Sequence, residues 1–207
     1  MIRGRIVLTL LFGFICLYAA QTLAAEKSQN ATASVKAVLE KAMEIQTRPD
    51  LQGDAHRKER ARLIHQLIGD SFLSGDMARE SLKGHWDKFS QNQRTEFQTL
   101  FTKLFQDSYT RMVLNFLQKE NIEYPGESNE AKGVRVKTVI MRSNEHIPVN
   151  YDLVQKSGRW LIRDVEIDGV SIVENYSNSF YKAIQKGSVE GFLQKLRIQN
   201  QAISDDV

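Results

Sequence analysis

The stretch from Gly158 to Asn175, G-R-W-L-I-R-D-V-E-I-D-G-V-S-I-V-E-N, constrains the fold of this chain more than any other. Ser157-Gly158 is a tight-turn signal, and Trp160 to Ile167 carries the β-branched and aromatic residues of a strand until Asp168-Gly169 breaks it. Ser171 then offers a side-chain oxygen to the free N–H groups of a helix that runs through Tyr176 and Phe180 toward Gly187. A strand, a hard corner and a helix follow one another without a linker. The rest of the chain must therefore supply strands to pair with the first part and helices to cover it.

The strands come just before. Val134 to Met141 places Val134, Val136, Thr138 and Ile140 on one side and Arg135 and Lys137 on the other. Ile147 to Gln155 alternates Val149, Tyr151 and Leu153 with Asn150 and Asp152, and Asn121 to Tyr124 reads as a short strand stopped by Pro125-Gly126. Short connections between successive strands favour an antiparallel meander. The phase of the last strand stays open: Leu161, Val165 and Ile167 share a face with Arg163, while Trp160 and Ile162 share one with Asp164.

Helical periodicity dominates upstream. Val35, Val38, Leu39, Ala42, Met43 and Ile45 form one face of a helix that Arg48-Pro49-Asp50 ends, and Gly53 keeps the chain turning. His56 to Gly69 makes a second helix with a heavily charged first half; its basic cluster reads as a solvated face or as a dock for anionic lipid heads or an acidic partner. Phe72, Met77, Ala78 and Leu82 suggest one or two short helices broken near Gly75 and Gly84. Ser90-Gln91-Asn92-Gln93 is a capping box. From it Phe97, Leu100, Phe101, Leu104, Phe105, Tyr109, Met112, Val113, Phe116 and Leu117 hold the helical period for about seven turns. At this spacing an aromatic stripe is core as readily as ligand wall. The chain ends in two amphipathic helices, one through Ile172, Val173, Tyr176, Phe180 and Ile184 and one through Phe192, Leu193 and Leu196, with Ser188 as the cap between them. The last residues, Ser204 to Val207, read as disordered.

At the other end, Arg3 and Arg5 precede an apolar run from Ile6 to Ala20 and the small residues Ala24 and Ala25. That is a secretory signal over residues 1–24 with cleavage near Ala24 or Ala25, and its apolar run is shorter than the roughly 20 apolar residues that span a bilayer. Cys16 lies inside the run behind Phe14 and Ile15, unlike a lipoprotein cleavage site. Residues 25–207 form one domain, polar and frayed from Glu26 to Thr32. The 28 Lys and Arg against 25 acids fall to a balance of about +1 once Arg3 and Arg5 are removed, so the basic character says little about partners. The only Cys leaves too, and the exported domain has no disulfide to rely on. No basic stripe with interleaved aromatics and no Gly-rich phosphate loop points to nucleic acid or nucleotide.

Chemistry is equally sparse. The four histidines, His56, His65, His85 and His146, fall on separate elements without the spacing of a helical metal site, and no G-x-S-x-G elbow is present. Catalytic and metal residues are therefore expected to be absent. Asp164 beside Trp160 is the best candidate for a buried base, and it reads more simply as a carboxylate bonded to a helix start or an arginine.

Trp160, Asp164, Val165, Asp168, Gly169, Val170 and Ser171, in the pattern W-x-x-x-D-V-x-x-D-G-V-S, resemble the MlaC family of periplasmic lipid carriers, also called the toluene-tolerance auxiliary family of ABC transporters. Ser90, Gln93, Arg94, Phe97, Phe101, Leu104, Phe105, Ser108 and Tyr109 resemble that family's long aromatic helix, and Gly187-Ser188 with Gly191-Phe192-Leu193 extends the match. The resemblance implies an α+β fold, with a curved four-stranded antiparallel meander wrapped by N- and C-terminal helices in an NTF2-like or cystatin-like manner around a deep apolar pocket. It also implies a bound phospholipid and no other cofactor, and a non-enzymatic shuttle that maintains outer-membrane lipid asymmetry. The implied partners are an inner-membrane ABC transporter with a lipid-binding ring and an outer-membrane lipoprotein with its porin.

Two acyl chains of roughly 15 methylenes carry on the order of 24 kcal/mol of hydrophobic penalty in water, so a carrier needs a deep dry pocket. Periodicity and resemblance together put it between the sheet and the helices starting at Ser90 and Ser171. The expected walls are Phe97, Phe101, Leu104, Phe105, Tyr109, Val136, Ile140, Tyr151, Leu153, Trp160, Val170, Val173 and Tyr176, with the phosphate near solvent. Two other readings stand beside this one. The chain could carry a different lipid such as a hopanoid, or act as a hydrophobic-pocket enzyme on the same scaffold; or it could be an interaction subunit whose apolar stripe is only core.

Overall fold

A computed structural model describes residues 31–204. The expected signal segment with Cys16, and residues 205–207, lie outside the described residues. Helix α1 occupies residues 31–47, so Ala31 and Thr32, read above as frayed, are helical. Thr32 is tied down by its hydroxyl, which donates to Glu127 at 2.6 Å. A 3-10 turn at Pro49–Leu51 follows, as the proline requires, and then α2, Arg57–Ser71. Helix α3, Ser74–Ser81, takes Gly75 into its first turn instead of breaking there, and a 3-10 segment at Lys83–Lys88 leads to α4, Gln91–Phe116. Both halves of the capping box at Ser90 and Gln93 are formed, at 3.0 and 3.3 Å. Among the described residues no helix is long and apolar enough to cross a membrane.

Strands β1 (Asn121–Glu130), β2 (Gly133–Arg142), β3 (Glu145–Lys156), β4 (Arg159–Ile167) and β5 (Val170–Ser171) make one antiparallel sheet in sequence order. The expected meander is present, with a two-residue fifth strand added at the corner. Ser157-Gly158 and Asp168-Gly169 turn with φ of +52° and +78° and of +49° and +78°, the left-handed pair that closes tight hairpins. The first strand departs from expectation. Pro125-Gly126 does not stop β1; the pairing with β2 slips between Glu123 and Gly126, and the strand continues to Glu130.

The open phase of β4 resolves through a second irregularity. Asp152 pairs with Asp164 and Leu153 with Ile162, so Arg163 is an extra residue and Ile162 and Val165 are both buried although three apart. The bulged Arg163 reaches out to α3 and donates to both oxygens of Glu80 at 2.6 Å. On the face away from the core, Arg135 holds Asp152 through two bonds of 2.7 and 2.9 Å and also Glu166 at 3.2 Å. Helices α5 (Ile172–Gln185) and α6 (Val189–Ser204) complete the wrapping, the latter started by Ser188, whose hydroxyl accepts from the Gly191 N–H at 3.0 Å.

Candidate functional site

Helix α4 changes role along its length. Over its first half Phe97, Phe101 and Phe105 are buried and meet rings of α5 and α6: Phe97 lies 5.7 Å from Phe180 and 5.9 Å from Phe192, and Phe101 lies 5.2 Å from Tyr176. This half is solidly filled. Beyond Phe105 the same stripe, continued by Tyr109, Met112, Val113, Phe116 and Leu117, faces a cavity of about 380 Å³.

Three surfaces close that cavity with α4. The sheet gives Ile140 from β2, Ile147, Val149 and Tyr151 from β3, and Val165 and Ile167 from β4; the register stacks Ile140 beside Ile147, Val149 beside Ile167, and Tyr151 beside Val165 as successive rungs. Helices α1 and α2 give Val38, Leu39, Ala42, Ile64, Leu67 and Ile68, and Phe72 and Ile172 fill the corners. Of the twenty residues in the lining, Arg142 alone is charged. It marks the open end, where Met112 and Phe116 stand 40% and 64% exposed. At the inner end burial pushes the phenols of Tyr109 and Tyr151 well above the ordinary phenol value, so both stay neutral. Such a space accepts chains of methylenes and rejects ions.

The structure sorts the sequence candidates into three places. Tyr109, Ile140 and Tyr151 line the cavity together. Phe97, Phe101, Leu104, Phe105, Val136 and Leu153 are buried in the filled core, and Tyr176 packs on Phe101 and Phe180. Trp160 faces a shallow groove beside α1, Val173 edges a charged cleft with Arg163 and Glu174, and Val170 is 59% exposed at the corner. That charged cleft, about 950 Å³, is walled by Asp76, Arg79, Glu80, Lys83 and Lys132 and is unsuited to apolar chains. The missed walls belong to α1, α2 and the second half of α4, with Ile147, Val149, Val165 and Ile167 on the sheet and Phe72 and Ile172 at the corners. Their apolar spacing was visible, but periodicity does not distinguish a face that meets protein from one that meets a void.

Asp164 is engaged in structure. One oxygen accepts from the N–H groups of Val165 and Val173 at 2.9 and 3.1 Å, the other from the Ser171 hydroxyl at 2.5 Å, while Ser171 in turn accepts from the Glu174 N–H at 3.0 Å. Strand end and helix start are thereby clamped at one carboxylate. Burial raises its pKa, with these hydrogen bonds opposing. Among the described residues no three His, Cys, Asp or Glu side chains gather as a metal site would need.

A family model described as MlaC protein matches residues 36–198. No curated protein matches the chain. Among solved structures, the phospholipid-binding protein from Ralstonia solanacearum in complex with a phospholipid is similar: 22% identical, TM-score 0.70, with the match covering 84% of this chain and 99% of that one. At that identity the likeness carries the fold.

Proposed function

Because the chain belongs to the MlaC family, we propose that it is a periplasmic phospholipid carrier that passes lipid between an outer-membrane lipoprotein and porin and an inner-membrane ABC transporter with a lipid-binding ring. The observation that carries this reading is the open-ended cavity beside α4, apolar except at its mouth. The phospholipid seen in the Ralstonia relative supports the ligand class. Residues 1–24 serve as the export signal, and tail contacts fall to Tyr109, Ile140, Tyr151 and their neighbours in the lining, while the other ten sequence candidates hold the frame around them.

Size makes the reading quantitative. A volume of 380 Å³, at roughly 30 Å³ for each water-sized group, takes about a dozen methylenes, and at about 0.8 kcal/mol each these represent on the order of 10 kcal/mol. That is one tail. A two-tailed lipid requires the walls to part. Incubating delipidated protein with phospholipid vesicles, reisolating it and extracting it tests the reading: bound lipid at a fixed stoichiometry is expected, and protein that returns empty contradicts it.

A further inference from the structure

The alternation that buries Val134, Val136 and Thr138 and turns Ile140 to the cavity continues to the last residue of β2, Arg142. The other strand cations of this region, Arg135 and Lys137, have the opposite phase. A guanidinium at the end of an apolar inward row needs an explanation. Part of it is local: Nη2 donates to the Phe116 carbonyl at 2.8 Å, at the end of α4, and to Glu120 Oε1 at 3.3 Å. Gln46, however, already caps that helix end, with its amide 2.9, 3.1 and 2.7 Å from the carbonyls of Val113, Leu114 and Leu117. Both Arg142 bonds use a single nitrogen. Nε and Nη1 bond nothing among the described residues, on a side chain that lines the cavity mouth and is 35% exposed.

We propose that Arg142 binds the phosphate of the seated lipid and so sets its class, favouring two-tailed lipids that carry a phosphodiester over neutral lipids with the same tails. This rests on the carrier reading above. Tails laid along the rungs from Tyr151 to Ile147 bring the glycerol end out beside Met112 and Phe116, where Arg142 is the one cation in the lining. The contact is charge-assisted and can use two nitrogens of the guanidinium, which a neutral head cannot match even at a mouth that water reaches. Glu120, largely buried itself, competes for the same guanidinium and moderates the attraction.

The test loads the full exported chain from vesicles that contain phosphatidylglycerol and diacylglycerol with identical tails, and reads the ratio of the two in the reisolated protein. Arg142→Gln should lower the phosphatidylglycerol to diacylglycerol ratio about tenfold while diacylglycerol uptake persists, and Arg142→Lys should fall between. Glu120→Gln should raise the ratio above that of the wild type, which a merely structural Arg142 would not do. Inorganic phosphate in excess should leave the ratio unchanged, because seated tails hold the lipid phosphate at high effective concentration; a fall would assign the site to free phosphate instead. An unchanged ratio in Arg142→Gln, equal loss of both lipids, or no rise in Glu120→Gln overturns the inference and leaves the carrier reading standing. Wild-type protein that takes up neither lipid defeats the carrier reading itself.

Discussion

Ile140 and Leu104 are both apolar, and the structure gives them different fates. Leu104 is fully buried in the filled half of the molecule, so Leu104→Glu should leave the protein unfolded, an unpaired charge having no place there. Ile140 borders the cavity near its mouth, where a carboxylate can reach water; Ile140→Glu should keep the cooperative melt and lose lipid uptake. Circular dichroism and lipid extraction on the two variants separate a core residue from a wall residue. Asp164 gives a pH prediction. Its folded pKa is raised by burial, so its contribution to stability is fully present below its unfolded value of about 3.9 and is lost as pH rises through the folded value. Urea titrations should therefore show Asp164→Asn gaining on wild type between about pH 4 and neutrality. A difference that stays flat with pH would remove the clamp as a buried ionised group.

At the scale of elements, the parts of the fold readable in sequence are those set by local chemistry. The capping box fixed the start of α4, Ser171 and Ser188 fixed α5 and α6, and two turn dipeptides placed the hairpins on either side of β4. Ser90→Ala should cost about 1 kcal/mol, a fall of ~2–4 °C in Tm for a domain of this size, without touching lipid uptake. Irregular pairing was not readable. Pro125-Gly126 carries a turn signature, yet it lies inside β1, where the slipped register absorbs it. The face of β4 could not be assigned because strict alternation fails at Arg163, which only the partner strand and Glu80 reveal. Deleting Arg163 should restore plain alternation, with Ile162 still buried opposite Leu153 and Asp164 opposite Asp152, so the domain should fold and lose only the pair with Glu80, a cost of about 1 kcal/mol or less read from the urea midpoint.

For the whole molecule, one half is packed solid and the other is hollow, and α4 runs through both. The sequence showed a single aromatic stripe because helical spacing is identical in the two halves; the division at Tyr109 follows from where α5 and α6 supply rings and where they do not. Of the lining candidates taken from that stripe and from the 158–175 corner, only Tyr109 therefore reached the cavity, while Ile140 and Tyr151 came from the strands. A ligand that fills the hollow half and is absent from the unfolded chain must stabilise the fold, so delipidation should lower Tm and returning phospholipid should restore it. The central claim is that this hollow shelters acyl chains from water, and mass spectrometry of the intact protein purified from a bacterial periplasm tests it most directly. The account predicts a complex heavier than the mature chain by the mass of a phospholipid, which organic extraction removes. A mass equal to the bare chain, unchanged after incubation with phospholipid vesicles, would contradict it.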